Sequence, residues 1–290
     1  MNMNGIDVSV HNGNIDWNRV KSADINFAIL RAGYGKVASQ KDDKFEQNYA
    51  GAKAAGVPVG AYWYSYAMSE DEARLEADVF LSVIKGKQFE MPVYFDIEEK
   101  KQFALGKDKV SAIIRAFLER VEAAGYLVGL YSNKSSLTSH ISDYIKEHYA
   151  VWLAHWVSKT DYSGIYDMWQ YSDKGRVDGI SGNVDMDTCY TDYPNIIKTC
   201  GYNGFNKSTD VTTEGPSAPP PVTENVNAGA FVQEVIRGLL ENEALLNVIN
   251  IEVKARAVLH GLYGNGDERK RRLGADYEAV QNRVNNILKG

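Results

Sequence analysis

Two carboxylic acids close an apolar run in MPVYFDIEEK, residues 91–100, with one residue between them. A strand made of Val93, Tyr94 and Phe95 has no packing use for Asp96 and Glu98. In an extended chain residues i and i+2 face the same side, and the rise per residue sets these two roughly 6 to 7 Å apart. Acids held so close in a partly dry cleft repel each other. At least one then keeps its proton towards neutral pH and can act as a general acid. Glycoside hydrolysis uses such a pair, one group to protonate the leaving oxygen and another to stabilise or attack an oxocarbenium-like carbon. Acids end many strands, however, so the D-x-E spacing is weak on its own and gains meaning from what is gathered around it.

The elements that would do the gathering are legible as alternating apolar patterns. Strand-like runs occur at 5–10, 26–35, 58–67, 91–98, 127–133, 150–156, 168–172 and 183–187, with helical patterns at about 42–55, 69–85, 108–124 and 136–147. The helix after Ser69 begins SEDE, a serine cap followed by acids in the first turn. Eight strands with helices between the first six predict a β/α barrel of the α/β class, irregular where the last three strands crowd together. Chemistry in such a barrel sits at the carboxyl ends of the strands. Asp7 and Ser9 fall there on strand one, Arg31 and Tyr34 on two, Tyr64 and Tyr66 on three, Asp96 and Glu98 on four, and Tyr131 and Asn133 on five. His155 and Trp156 end strand six, Gln170 and Tyr171 strand seven, and Asp185 and Asp187 strand eight. Singly, an aspartate of this kind is most often a turn residue or cap, and a barrel tyrosine is most often packing. Together they describe a cleft of acids lined by aromatic faces suited to stacking on sugar rings.

Other chemistries lack their residues. The five histidines are scattered, no H-E-x-x-H or G-x-S-x-G occurs, and the two cysteines, Cys189 and Cys200, have no zinc-ligand spacing, so no metal, no cofactor and no disulfide is expected. The net charge of −6 argues against a nucleic-acid partner, and the absence of any 18-residue apolar run argues against a membrane span. The start, MNMNGIDVSV, has neither a basic n-region nor an apolar h-region, which predicts a protein made and folded in the cytoplasm. Oligomeric state is not legible.

The segments GIDVSVHNGNIDW, FAILRAGYG, GAYWYSYA, VYFDIE, GLYSN, WLAHW and MWQYSDKGRVDGISGNVDMD resemble, in that order, the glycoside hydrolase family 25 muramidases, or Chalaropsis-type lysozymes, over about residues 3–193. The resemblance implies an irregular (β/α)5(β)3 barrel. It also implies cleavage of the β-1,4 bond between N-acetylmuramic acid and N-acetylglucosamine in bacterial peptidoglycan. Glu98 matches the family's proton donor. Asp96, Asp7 and Asp185 match acids that line the site and orient or charge-stabilise the reacting sugar, and Tyr64, Tyr66, Tyr131, Trp156 and Gln170 are the candidate substrate contacts. Whether a carboxylate or the substrate's own N-acetyl group attacks the anomeric carbon stays open at this level. One departure is Asp187, where family members often carry Asn.

Residues 206–227, NKSTDVTTEGPSAPPPVTENVN, hold four of the seven prolines and almost no large apolar side chain, which predicts an extended linker after a catalytic barrel at 1–205. Beyond it, residues 228–290 read as a helical module. Val253, Ala257 and Val258, then Val280, Val284, Ile287 and Leu288, recur at helical spacing about a GNGD turn. Composition alone would make this a spacer or oligomerisation unit. VLHGLYGNGDERKRRL and YEAVQNRVN, within a repeat at 250–290, nevertheless resemble the choline-independent cell-wall-binding repeat of phage lysins, which implies a three-helix module that recognises peptidoglycan. Tyr263 stands where that family usually has Trp, and the stretch between Leu273 and Tyr277 is about three residues short. Residues 228–249 read either as a degenerate first repeat or as an added helix. An enzyme and a wall-binding module on one chain predict a phage endolysin that waits in the host cytoplasm and then acts on the cell wall. The alternatives are a bacterial autolysin or prophage lysozyme of the same chemistry, and a non-catalytic wall-binding protein.

Overall fold

The computed structural model describes residues 2–206 and 266–289, in two compact units divided between Thr209 and Asp210. The first is a closed eight-stranded barrel in sequence order: β1 (Met3–Val8), β2 (Phe27–Tyr34), β3 (Val59–Tyr64), β4 (Val93–Asp96), β5 (Val128–Asn133), β6 (Ala150–Ala154), β7 (Met168–Gly175) and β8 (Val184–Cys189). Pairing is parallel from β1 through β7, while β8 runs antiparallel to both β7 and β1. The expected α/β barrel with five β/α units and three closing strands is therefore the observed one.

Period-2 alternation sorts each strand into two cores. Ile6 and Val8, Ala28 and Leu30, Val93 and Phe95, and Val151 and Leu153 turn outward to the helices, where Phe95 meets Phe117 with ring centroids 4.3 Å apart. Phe27, Ile29, Tyr94, Tyr131, Trp152 and Met168 turn inward and fill the barrel. Gly129 makes room for this filling, because a Cβ there would lie 2.6 Å from the Ala150 carbonyl and 2.7 Å from the Tyr94 ring.

The helices are α1 (Trp17–Ser22), α2 (Phe45–Ala54), α3 (Glu70–Ile84), α4 (Lys100–Phe103), α5 (Lys107–Glu122), α6 (Lys134–Ser139), α7 (Asp143–His148) and α8 (Tyr193–Cys200). Asp16 caps α1 through the amides of Asn18 and Arg19, and Ser69 caps α3 through the amide of Glu72, as its SEDE start predicts. The single helix expected at 136–147 is two short ones. Asn133 caps α6, and the chain breaks at Ser142, whose amide donates to Ser111 Oγ at 3.0 Å. Helices α1, α4 and α8 have no counterpart among the expected helices, because each is too short, or too close to its neighbours, to display a period.

In the second unit, α9 (Gly266–Leu273) and α10 (Tyr277–Lys289) flank a single 3₁₀ turn, and Leu273, Val280 and Val284 are buried. The expected linker beyond residue 206, the degenerate-repeat segment 228–249, the remaining helical positions before residue 266 and Tyr263 lie outside the described residues. Both cysteines are free thiols. Among the described residues no helix is long and apolar enough to cross a membrane.

Candidate active site

Inward alternation carries polar side chains to one end of the barrel. On β4 the inward set is Tyr94, Asp96 and Glu98, and the ladder stops at Asp96, so Glu98 lies just beyond the strand and at the rim. On β1 the same parity turns Asp7 inward while Ile6 and Val8 pack outward. Two irregularities fall beside the cleft. The register of β2 shifts after Arg31 and that of β7 after Gln170, and such bulges re-aim neighbouring side chains.

The expectation that strand eight reaches this rim with its carboxyl end needs correction. Because β8 is reversed, Asp185 comes from its amino end, opposite Asp7 in register, and Asp187 points into the closed interior below. The connection between β7 and β8 has eight residues, 176–183, whereas a parallel crossover takes a dozen or more. That length is the sequence signal for the reversal.

A cavity of about 390 Å³ is lined by Asp7, Asp96, Glu98 and Asp185 together with Tyr64, Tyr131, Trp156 and Gln170. Eight of the ten sequence-predicted site residues thus share one cleft. Tyr66 lines an adjoining cavity of about 520 Å³, which shares His11, Arg31 and Tyr64 with the first. On the other side a cavity of about 480 Å³ shares Glu98, Tyr131 and Trp156. The three form a groove with Glu98 at one of the two junctions. Ser9 and Arg31, which the sequence places at this rim, also line the central part, as do Tyr62 and Trp152, which the sequence alone does not single out. Tyr62 and Trp152 carry the right parity, but only the closed barrel shows that they reach the cleft.

Gln170 is buried and acts as a hub. Its Nε2 donates to Asp7 Oδ2 at 2.7 Å, and its Oε1 accepts from Tyr131 Oη and Trp156 Nε1, both at 2.9 Å. The Tyr131 hydroxyl also meets the Glu98 carboxyl. Arg31 is held by Asp42, Nε to Oδ2 at 2.6 Å, and the same Asp42 oxygen accepts from the Val10 amide at 3.0 Å.

Electrostatics of the cleft favour retained protons. Burial, then the Glu98 charge, push Asp96 well above the carboxylate range, partly opposed by Arg31. Glu98 is raised by burial, although Tyr131 lowers it. Burial, then Asp173, push Asp185 up to about 6. Asp7 is raised by burial first and then by Asp187 and Asp185, with Gln170 opposing. The arrangement can supply a proton from a half-buried acid at the rim and negative charge from the groups beneath it. No group of His, Cys, Asp and Glu among the described residues is arranged to hold a metal ion.

A family model described as Glycosyl hydrolases family 25 matches residues 6–180, and one described as CW_7 repeat matches residues 253–288. The Autolytic lysozyme of Clostridium acetobutylicum is 30% identical over 188 residues, which are 64% of this chain and 55% of that protein. The modular autolysin LytC from Streptococcus pneumoniae, solved in complex with a synthetic peptidoglycan ligand, superposes with a TM-score of 0.59 at 28% identity, over 65% of this chain and 47% of that one. The CTP1L endolysin superposes with a TM-score of 0.60 at 29% identity, over 68% and 69% of the two chains. The chain therefore spans about half the length of the two autolysins it resembles.

Proposed function

We propose, since the chain belongs to glycosyl hydrolases family 25, that it is an N-acetylmuramidase that cuts the β-1,4 bond between N-acetylmuramic acid and N-acetylglucosamine in bacterial peptidoglycan. The observation that carries this reading is the place of Glu98, a half-buried acid with a raised pKa at a groove junction, beside Asp96, Asp185 and Asp7. Glu98 gives its proton to the glycosidic oxygen as the bond breaks, and the positive charge growing on the anomeric carbon is met by the carboxylates beneath it. Closure on that carbon by a carboxylate or by the substrate's N-acetyl oxygen leads to the same net hydrolysis once water adds and returns a proton to Glu98. Tyr64, Tyr131 and Trp156 offer ring faces to the sugars, with Tyr66 further along the groove.

The test is the identity of the new reducing ends. Purified walls digested and then reduced with borohydride should yield muramitol residues. Glucosaminitol, or free amines without reducing ends, would overturn the muramidase reading.

Residues 253–288 extend the proposal to wall binding, with a catalytic barrel, a Pro-rich linker from 206 to 227 and a binding module from 228 to 290 as the working division. The likeness to the CTP1L endolysin, together with that repeat, supports a phage endolysin held in the host cytoplasm until the membrane opens. The likeness to an autolytic lysozyme supports the second reading, a bacterial autolysin of the same chemistry. A gene flanked by holin and tail genes decides for the first, and one among chromosomal wall-metabolism genes for the second.

A further inference from the structure

Below the groove lies a carboxyl group that the proposed reaction leaves unused. Asp187 has no solvent exposure and sits on β8 two residues inward of Asp185, in register with Gly5 of β1. Its Oδ1 accepts from Trp152 Nε1 at 2.8 Å. Its Oδ2 is enclosed and receives a hydrogen from no neighbour. The carboxyl of Asp7 lies within hydrogen-bonding contact of it, and Asp7 already accepts from Gln170 through Oδ2. Ionised carboxylates are acceptors only, so two of them in contact inside a closed barrel have no hydrogen between them and place two like charges side by side in a buried site. What is missing from the contact is one proton.

We propose that Asp187 and Asp7 share a single proton across their contact, with Asp187 as a positioning residue that fixes the orientation and charge of Asp7 at the cleft floor. The donor count then closes. Asp187 accepts from Trp152 at Oδ1, Asp7 accepts from Gln170 at Oδ2, and the shared hydrogen fills the contact between the two carboxyls. Burial drives the affinity of both groups for protons upward. The titratable groups around Asp187 are Asp7 from β1, Asp185 and Cys189 from β8, Tyr94 from β4 and Tyr171 from β7, and none of these brings positive charge. Loss of the proton at alkaline pH puts two repelling charges on the floor and displaces Asp7. An amide at the same position would donate the same hydrogen and never titrate.

This inference deepens the muramidase reading and rests on it only for the hydrolysis arm of its test. The full chain, Asp187→Asn and Asp187→Leu are compared by infrared spectroscopy in the protonated-carboxyl region at neutral pH, and by the pH profile of kcat/KM on purified walls. The expected result is that Asp187→Asn removes one protonated-carboxyl band, keeps its neutral-pH rate and extends activity to higher pH. Asp187→Leu, with the helical and sheet content of the wild type, should lose about tenfold or more at every pH, because the donor that orients Asp7 is gone. No loss of a carboxyl band in Asp187→Asn overturns the proposal, and so does a rate as low as that of Asp187→Leu. A band that disappears as expected in a protein with no wall hydrolysis would support the held proton and overturn the muramidase reading instead.

Discussion

Replacing Glu98 by Gln separates chemistry from folding at the residue on which the functional reading depends. The amide keeps the size of the side chain and a polar partner for the Tyr131 hydroxyl, but it cannot release a proton to a departing sugar oxygen. General acid catalysis is worth about 10²- to 10⁴-fold, or roughly 3 to 5.5 kcal/mol of barrier. The same substitution should help stability. Glu98 has its pKa raised above the ordinary 4.5, mainly by burial. The native state therefore holds more protons than the unfolded chain between 4.5 and the raised value, and the stability contributed by Glu98 falls as pH rises through that window. The amide that replaces it has no such decline, and the substitution also removes the charge that raises Asp96. The expected variant is at least about a hundredfold slower in reducing-end release, as stable as the wild type at about pH 4, and equally or more stable at about pH 8 by thermal melting. A rate within about tenfold of the wild type would remove Glu98 from the donor role. A fall of several degrees in melting temperature at the higher pH would refute the electrostatic argument.

Asp173→Asn should lower the pKa of Asp185 from about 6, because Asp173 is the charge that raises it after burial, and the acid limb of kcat/KM should move to lower pH by less than about one unit. Gln170→Leu takes the amide from Asp7 and the acceptor from Tyr131 and Trp156. It should destabilise the barrel by about 1–3 kcal/mol in urea melts and lower kcat more than it raises KM. Deleting residues 206–290 should leave a folded barrel that cuts small soluble fragments at a similar maximal rate while lysis of intact walls falls several-fold, and Tyr263→Ala should weaken sedimentation of the isolated tail with walls. A truncated barrel that clears walls as fast as the full chain would refute the binding role.

The barrel and most of its cleft are legible because both are written in period-2 alternation. Asp96 and Glu98 share parity with Tyr94, and Asp7 has the opposite parity to Ile6 and Val8, so which side chains turn inward follows from spacing alone. What spacing omits is strand direction and depth. The pattern of β8 reads the same forwards or backwards, so spacing places Asp185 and Asp187 together at the rim, whereas reversal puts one on the groove and the other beneath it. Asp42 is invisible for another reason. Its partners, the Arg31 guanidinium and the Val10 amide, come from two other parts of the chain that meet only when the sheet closes.

The pairing of β1 with β8 also fixes when the groove can come into being. Asp7 and Asp185 face each other across the seam where the first strand meets the last, although 178 residues separate them in sequence. On a ribosome working at roughly 5–20 residues per second, Asp185 is made roughly 10 to 35 s after Asp7. During that interval β1 has only β2 beside it, and the two acids of β4 project from an open sheet. A nascent or prematurely terminated chain short of β8 therefore lacks Asp185, Asp187 and the closing strand at once. Hydrolytic competence should arise in one late, non-local step, when the last strand enters between its two antiparallel neighbours.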